Sequence, residues 1–421
     1  DGGLGDHFGQ GVRISGDTIV ASAPSHNSQA GAVYVFVKIG AVWTQQNKIV
    51  SPSYNIPNGY FGYSIDLDQD EIVVGAPYAN ENRGEAYNFH RDNGVWTRVA
   101  TFGASDTFFY GTSVSISGDY SVVGMVGAQN TDSGKAYLHE RTYGTVDDWH
   151  SLGPLSITAP IGSYCGQAVS ISYESIIVGC PREPVNGISS GTAYYFYHFA
   201  GNIGPGVRIV PPDAANDDYF GSSLSEKNNV LVIGANSKTI NGNYGQGAAY
   251  IYYPSQYSLG PPIELIDPNG QAYDNFGFSM AVDGSQMIIG SYGKDVTPYG
   301  FRQSNRIAAP TTAGQDRGAM FTYENQYVAS PTAAHVPIRG RILNASGNGI
   351  GGVVIEIRDE NGHIVANGLS NPFGYYGVEN IEVGNSYLVT ASSKRFVFTN
   401  NPRLVSLNDE LLDLDFVAES P

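Results

Sequence analysis

Three aspartates stand at alternate positions in FGYSIDLDQDEIVVGAP (61–77): Asp66, Asp68 and Asp70. A calcium loop of the EF-hand type begins this way, because alternate residues of a tight loop can turn their oxygens toward one cation. Such a loop also needs a glycine at its sixth position and a bidentate glutamate at its twelfth. Counted from Asp66, those positions hold Glu71 and Pro77. Asp66 and Asp68 alternate with Ile65 and Leu67, the pattern of a half-buried strand's polar side, so no metal is expected.

Other chemistry-bearing residues give no constellation. Gly-x-Ser recurs at 62–64, 111–113, 221–223 and 277–279. A hydrolase elbow needs a second glycine and a strand-to-helix turn, and here the motif opens an alternating segment each time. Histidines 7, 26, 90, 139, 150, 198, 335 and 363 show no HExxH and no pair at metal-ligand spacing. No nucleophile, base and orienting acid can be grouped, so neither catalysis nor a cofactor is expected. The only cysteines, Cys165 and Cys180, fall on the two strands of one predicted hairpin. They share a face, one diagonal step apart or directly opposite if the register bulges, which leaves a disulfide or two buried thiols open.

The elements that position these residues follow from composition and repetition. Asp plus Glu outnumber Lys plus Arg by 39 to 22, giving a net charge of −17. Nucleic acids and anionic membrane surfaces need a basic footprint, so neither is an expected partner. Glycine (53), tyrosine (29) and proline (22) are abundant, favouring many short strands joined by tight turns. No apolar run of 18 or more residues exists, and membrane insertion is not expected. The chain starts at Asp1 with neither a signal peptide nor an initiator Met, as a processed mature protein or a fragment would.

An aromatic-Gly pair, alternating apolar residues, a tight turn and a β-branched run recur as FGQGVRISGDTIVASAP (8–24), FGYSIDLDQDEIVVGAP (61–77) and YGTSVSISGDYSVVGMV (110–126). They continue as CGQAVSISYESIIVGCP (165–181), FGSSLSEKNNVLVIGAN (220–236) and FGFSMAVDGSQMIIGSY (276–292). Each unit carries a second alternating signature: GAVYVF (31–36), GEAYNF (84–89), GKAYLH (134–139), GTAYYF (191–196), GAAYIY (247–252) and GAMFTY (318–323). Five units add a fourth segment, at 43–50, 96–102, 149–157, 206–210 and 262–266. Four short strands per ~50 residues cannot bury their faces one unit at a time, so the units must pack on each other; radial packing gives a β-propeller. Laid on unit 1, Gln69-Asp70 falls on Gly16-Asp17, a two-residue hairpin turn.

Phe61-Gly62 followed by Gly75-Ala76-Pro77 resembles the FG-GAP repeat of integrin-type propellers, and the ISGD and GAVYVF variants resemble its bacterial extracellular subgroup. The resemblance covers residues 6–325, and units 3, 5 and 6 depart from it at the Ala-Pro. It implies an all-β protein with a propeller of six, or seven, four-stranded blades over 1–325. A linker follows at 326–337, and then a β-sandwich at 338–421. There Gly349-Ile350-Gly351-Gly352-Val353, Asn371-Pro372-Phe373-Gly374-Tyr375-Tyr376 and Val383-Gly384-Asn385-Ser386-Tyr387 resemble the carboxypeptidase regulatory-like (prealbumin-like) domain, which implies a non-catalytic spacer or assembly module.

Two places depart from the repeat. The loop 292–318 of unit 6 is more than twice as long as its counterparts, and long loops are commonly functional. Its Tyr292, Tyr299, Phe301, Arg302 and Arg306 are residue types that anchor interfaces. Unit 6 also lacks a fourth segment after Tyr323, an edge open to another strand. The expectation is a secreted or cell-surface structural or adhesion protein. It would bind other surface proteins or its own copies, head to tail into a fibre, with a glycan-binding propeller as the alternative. Asn344-Ala345-Ser346 is the sole N-glycosylation sequon.

Overall fold

Residues 61–77 fold as the first hairpin of an antiparallel sheet. Ser64–Asp68 pairs with Glu71–Ala76 across the turn at Gln69 and Asp70, and Glu85–Asp92 and Val95–Phe102 complete four strands. The computed structural model describes residues 2–52, 58–104, 108–127, 132–172, 175–199, 202–254, 259–283, 286–294, 306–307, 319–324, 335–359, 363–382, 385–398, 401–407, 411 and 414–419. Two units divide the chain, Asp1–Glu324 and Asn325–Pro421.

The first unit holds six sheets of this kind, the blades of a β-propeller fold. Blade 1 runs Val12–Ser15, Thr18–Ala23, Ala32–Ile39, Val42–Val50. Blade 2 is the sheet just given. Blade 3 is Tyr110–Ser117, Tyr120–Met125, Lys135–Arg141, Trp149–Pro154. Blade 4 has five strands: Ala168–Ile171, Ser175–Cys180 and Thr192–Phe199, with both Asn202–Ile203 and Val207–Ile209 pairing on the last of these. Blade 5 is Phe220–Lys227, Val230–Ala235, Ala248–Tyr252, Ile263–Leu265.

Blade 6 corrects a sequence expectation. Its sheet order is Phe276–Asp283, Gln286–Ser291, Ala319–Glu324, Arg306–Ile307. The outer strand exists, but it comes from inside the long 292–318 loop rather than from after Tyr323. A search for a fourth segment downstream of the third strand cannot find a strand inserted upstream of it.

The side-chain periods explain the packing. Ile65 and Leu67 turn toward blade 1 and join Val20, Val33 and Val35 in one cluster. Second strands such as Glu71–Ala76, Ser175–Cys180 and Val230–Ala235 are buried along their whole length. A blade covered on both faces requires a continuous rather than an alternating apolar run there. Four more clusters repeat this arrangement between successive blades. At each junction the glycine opening the third strand bridges the next blade's FG aromatic position, as Gly84 does Tyr110. A Cβ on Gly84 would sit 2.1 Å from the Tyr110 carbonyl oxygen, so the blades approach this closely only because the residue is glycine.

The second unit begins its first strand, His335–Leu343, inside the stretch read as linker. One sheet joins this strand to Tyr375–Glu382 and, in parallel, to Phe416–Val417. The other orders Ile364–Leu369, Val354–Arg358, Asn385–Ser392 and Arg403–Leu407. Ile338, Ile342 and Tyr376 of the first and Ile355, Ile357 and Val389 of the second share one core.

Candidate functional site

Asp66 and Asp68 lie in the seams between blades, and Asp70 in the hairpin turn. Asp66 accepts hydrogen bonds from Ser115 Oγ (3.0 Å) and the Ile116 N–H (2.9 Å) of blade 3, and from Arg13 Nε (3.1 Å) of blade 1. Asp68 accepts from the Gly118 N–H at 2.7 Å; burial raises its pKa, and that N–H opposes the rise. Asp70, in the turn, accepts from Arg91 Nε at 2.6 Å. The same seam role recurs with serine: Ser115 Oγ accepts from the Ile171 N–H and Ser225 Oγ from the Val282 N–H.

The Gly-x-Ser serines act at the same seams. Ser64, Ser113 and Ser223 each donate to the carbonyl of the next blade's FG glycine, at 2.8, 2.8 and 2.6 Å. Two groups are more deeply buried, the first across blades 2 and 3 and the second within blade 3. Glu71 accepts from His90 Nδ1 (2.7 Å) and from Arg141, which also pairs with Asp119. His139 Nε2 is hydrogen-bonded to the Tyr110 hydroxyl at 2.6 Å, and burial drives the imidazole pKa down to about 3.

A group of exposed aromatic side chains gathers at one end of the blades, where first strands start and second strands stop. The residue before each FG position has positive φ in all six blades: His7, Tyr60, Phe109, Tyr164, Tyr219 and Asn275. For a bulky side chain this left-handed backbone is strained, and such strain gathers at functional sites. Here it presents rings to one another. Tyr78 packs on Tyr60 at 5.0 Å, Phe109 at 5.3 Å and Tyr63 at 6.2 Å. The Arg182 guanidinium lies 4.8 Å from the Tyr164 ring and 5.4 Å from that of Tyr219. Tyr244 meets Tyr273 at 5.6 Å, and Phe278 meets Tyr292 at 4.5 Å. Tyr63, Tyr78, Tyr244, Tyr273, Phe278 and Tyr292 are all exposed.

Tyr292 therefore joins an aromatic face that begins four blades earlier. Tyr299, Phe301 and Arg302 lie outside the described residues, and of Arg306 the backbone alone is described, in the outer strand of blade 6. The sequence reading missed Tyr60, Tyr78, Arg182 and Tyr273. A signal was available, since an aromatic precedes the FG position in four units, at Tyr60, Phe109, Tyr164 and Tyr219.

Cys165 and Cys180 form a disulfide, fully buried in blade 4. Asn344 lies in a turn of the second unit, its Oδ1 accepting from the Ser346 and Asn348 N–H groups at 2.9 Å each.

A propeller whose blades are sealed by FG glycines and their seam serines defines a class, and the comparisons place the chain within it. The FG-GAP repeat model matches residues 1–36, 43–89, 96–139, 206–252 and 263–304, just over half of the sequence. The protein belongs to the FG-GAP repeat family. Blade 4, with cysteine in place of the FG aromatic, falls outside the matched segments apart from its last strand, Val207–Ile209. No curated protein matches the sequence. Among solved structures, the crystal structure of Saccharomyces cerevisiae Sqt1 aligns over 91% of this chain and 97% of its own, with a TM-score of 0.39 and 8% identity.

Proposed function

We propose that this is a non-catalytic structural or adhesion protein, secreted or displayed on a bacterial surface, that acts by binding other proteins. The observation that carries the reading is the aromatic face. Exposed tyrosines and an arginine held between rings are the residues that dominate protein interfaces, and here Tyr78 and Arg182 pack against rings carried on strained backbone, at Tyr60, Phe109, Tyr164 and Tyr219. Extracellular placement is supported by the disulfide, since such bonds persist in oxidising compartments, and by the family itself. Among the described residues no helix is long and apolar enough to cross a membrane. The motifs of the second unit support a spacer or assembly module of the carboxypeptidase regulatory-like kind. In its sharper form the proposal has copies joining head to tail into an extracellular fibre.

A photo-crosslinking residue placed at Tyr78 or Tyr273 tests the binding reading on the surface of producing cells. Protein adducts are expected from these positions and not from Asp70 at the opposite end of the blades; equal labelling from both ends would sink it. Exposed, paired tyrosines also suit sugar rings. Glycan-array binding that is lost on Tyr78→Ala would replace protein with carbohydrate as the ligand.

A further inference from the structure

The five internal junctions specify what each half of a junction looks like, and among the described residues one half of each kind is left uncovered, on blade 1 and on blade 6. On the entering side, the FG position is fully buried in blades 2 to 6, at Phe61, Tyr110, Cys165, Phe220 and Phe276, whereas Phe8 of blade 1 is 58% exposed. Ile14, in its first strand, is 63% exposed, where Leu67, Ile116, Ile171 and Val282 of blades 2, 3, 4 and 6 are 5–8% exposed and blade 5 has Glu226. On the leaving side, Val20, Val73, Val122, Ile177 and Val232 are buried under the next blade, whereas Ile288 of blade 6 is 39% exposed. Apolar surface exposed on one blade and buried at the equivalent apolar positions of the others marks an interaction site.

The polar groups agree with the apolar ones. Ser64, Ser113 and Ser223 donate to the next blade's glycine carbonyl; Ser279, their counterpart in blade 6, is exposed and makes no such bond among the described residues. A Cβ on Gly75, Gly124 or Gly234 would run into the next blade's FG glycine carbonyl, while one on Gly290 would meet only Ser279 of its own blade. Asp283 occupies the position from which Ser15 and Asp68 accept the next blade's turn N–H; in blade 1 that turn residue is Gly16.

We infer that the leaving face of blade 6 docks on the entering face of blade 1 of a second copy of this chain, reproducing the internal junction between molecules. Ile288 then covers Phe8, Val12 and Ile14, Ser279 Oγ donates to the Gly9 carbonyl, and Asp283 accepts from the Gly16 N–H. The two surfaces differ, so the contact is heterologous and propagates rather than stopping at a dimer. This deepens the head-to-tail reading proposed above and rests on it.

Cysteines at Ile14 and Ile288 in one chain test the junction, because the equivalent pairs Leu67 with Val20, and Ile116 with Val73, share a cluster. Under mild oxidation the double variant should give a concentration-dependent ladder on a non-reducing gel. A crosslink within single chains would show that blades 1 and 6 close on each other, and no crosslink that the faces do not meet; either overturns the inference. Sedimentation of the unmodified protein separates the two levels. If it remains a monomer at every concentration, the head-to-tail reading fails and the junction fails with it. If it assembles but Ile14→Asp does not raise the assembly concentration at least about tenfold, equivalent to 1.4 kcal/mol, this junction alone is wrong.

Discussion

Blades 2 and 5 fill the same corner in opposite ways. Two positions meet there, the second residue before the FG aromatic and the second residue after the GAP segment. In blade 2 they are Gly59 and Ala79, and a Cβ on Gly59 would lie 3.8 Å from the Ala79 side chain. In blade 5 they are Asp218 and Lys238, both buried and 3.3 Å apart, with Asp213 2.8 Å from the same ammonium. Blade 6 repeats the ionic version with Lys294 between Asp267 and Asp274, and blade 1 has Asp6 against His26. The backbone repeat therefore dictates the space in the corner but not the chemistry that fills it. In blades 2, 5 and 6 what enters is either small and apolar, or charged and paired.

The difference is sharpest under truncation. Lys238→Ala leaves Asp218 buried without its cation, and breaking a buried pair this way costs about 3–5 kcal/mol. Asp218→Gly combined with Lys238→Ala copies blade 2, and should cost much less than the single change because Asp213, with a side chain 46% exposed, can return to water. Denaturant unfolding of the two variants decides the point. A double variant no more stable than Lys238→Ala would mean that the ionic corner is required by its surroundings rather than interchangeable with the apolar one.

Much of this was legible in the sequence, and the reasons are local. A strand buried on one face alternates, one buried on both does not, and a two-residue turn is marked by the residues it tolerates; six aligned copies expose all three. The outer strand of blade 6 was not legible, because its order in the chain breaks the pattern that identifies the others. The seam role of Asp66 was not legible either, since its acceptor function depends on the Ile116 N–H, fifty residues away. The aromatic face was half visible: Tyr292 was singled out for the length of its loop, whereas its partner Phe278 looked like an ordinary strand residue.

A second contrast sets blade 4 against the others. Elsewhere the FG aromatic is matched, fifteen residues on, by a small or flexible residue, as Phe61 by Ala76 and Phe220 by Ala235. In blade 4 both positions are cysteine, and a covalent bond replaces the ring. Closing a loop of sequence separation 15 contributes about 3 kcal/mol, so mutating both cysteines to serine should lower the unfolding free energy by that amount. Cys165→Phe with Cys180→Ala, which restores the other blades' pair, should recover at least half of the loss. If the reduced protein and the disulfide-bonded one unfold at the same denaturant concentration, the bond and the ring are not equivalent solutions.

The smallest effect concerns the aspartates and separates chemistry from architecture most directly. Asp66 occupies the position held by Ser115, Ser170 and Ser225 in blades 3 to 5, and Ser115 and Ser225 satisfy a backbone N–H of the next blade as it does. Asp66→Ala deprives the Ile116 N–H of its acceptor inside the seam, a loss of about 1–2 kcal/mol. Asp66→Ser keeps an acceptor there and should cost less than about 0.5 kcal/mol. Were the trio a calcium site instead, the two variants would lose a ligand alike and the unfolding midpoint of the parent would rise with added calcium. A seam acceptor predicts unequal losses and a midpoint that calcium leaves in place, because the Asp66 carboxylate already holds Arg13, Ser115 and the Ile116 N–H.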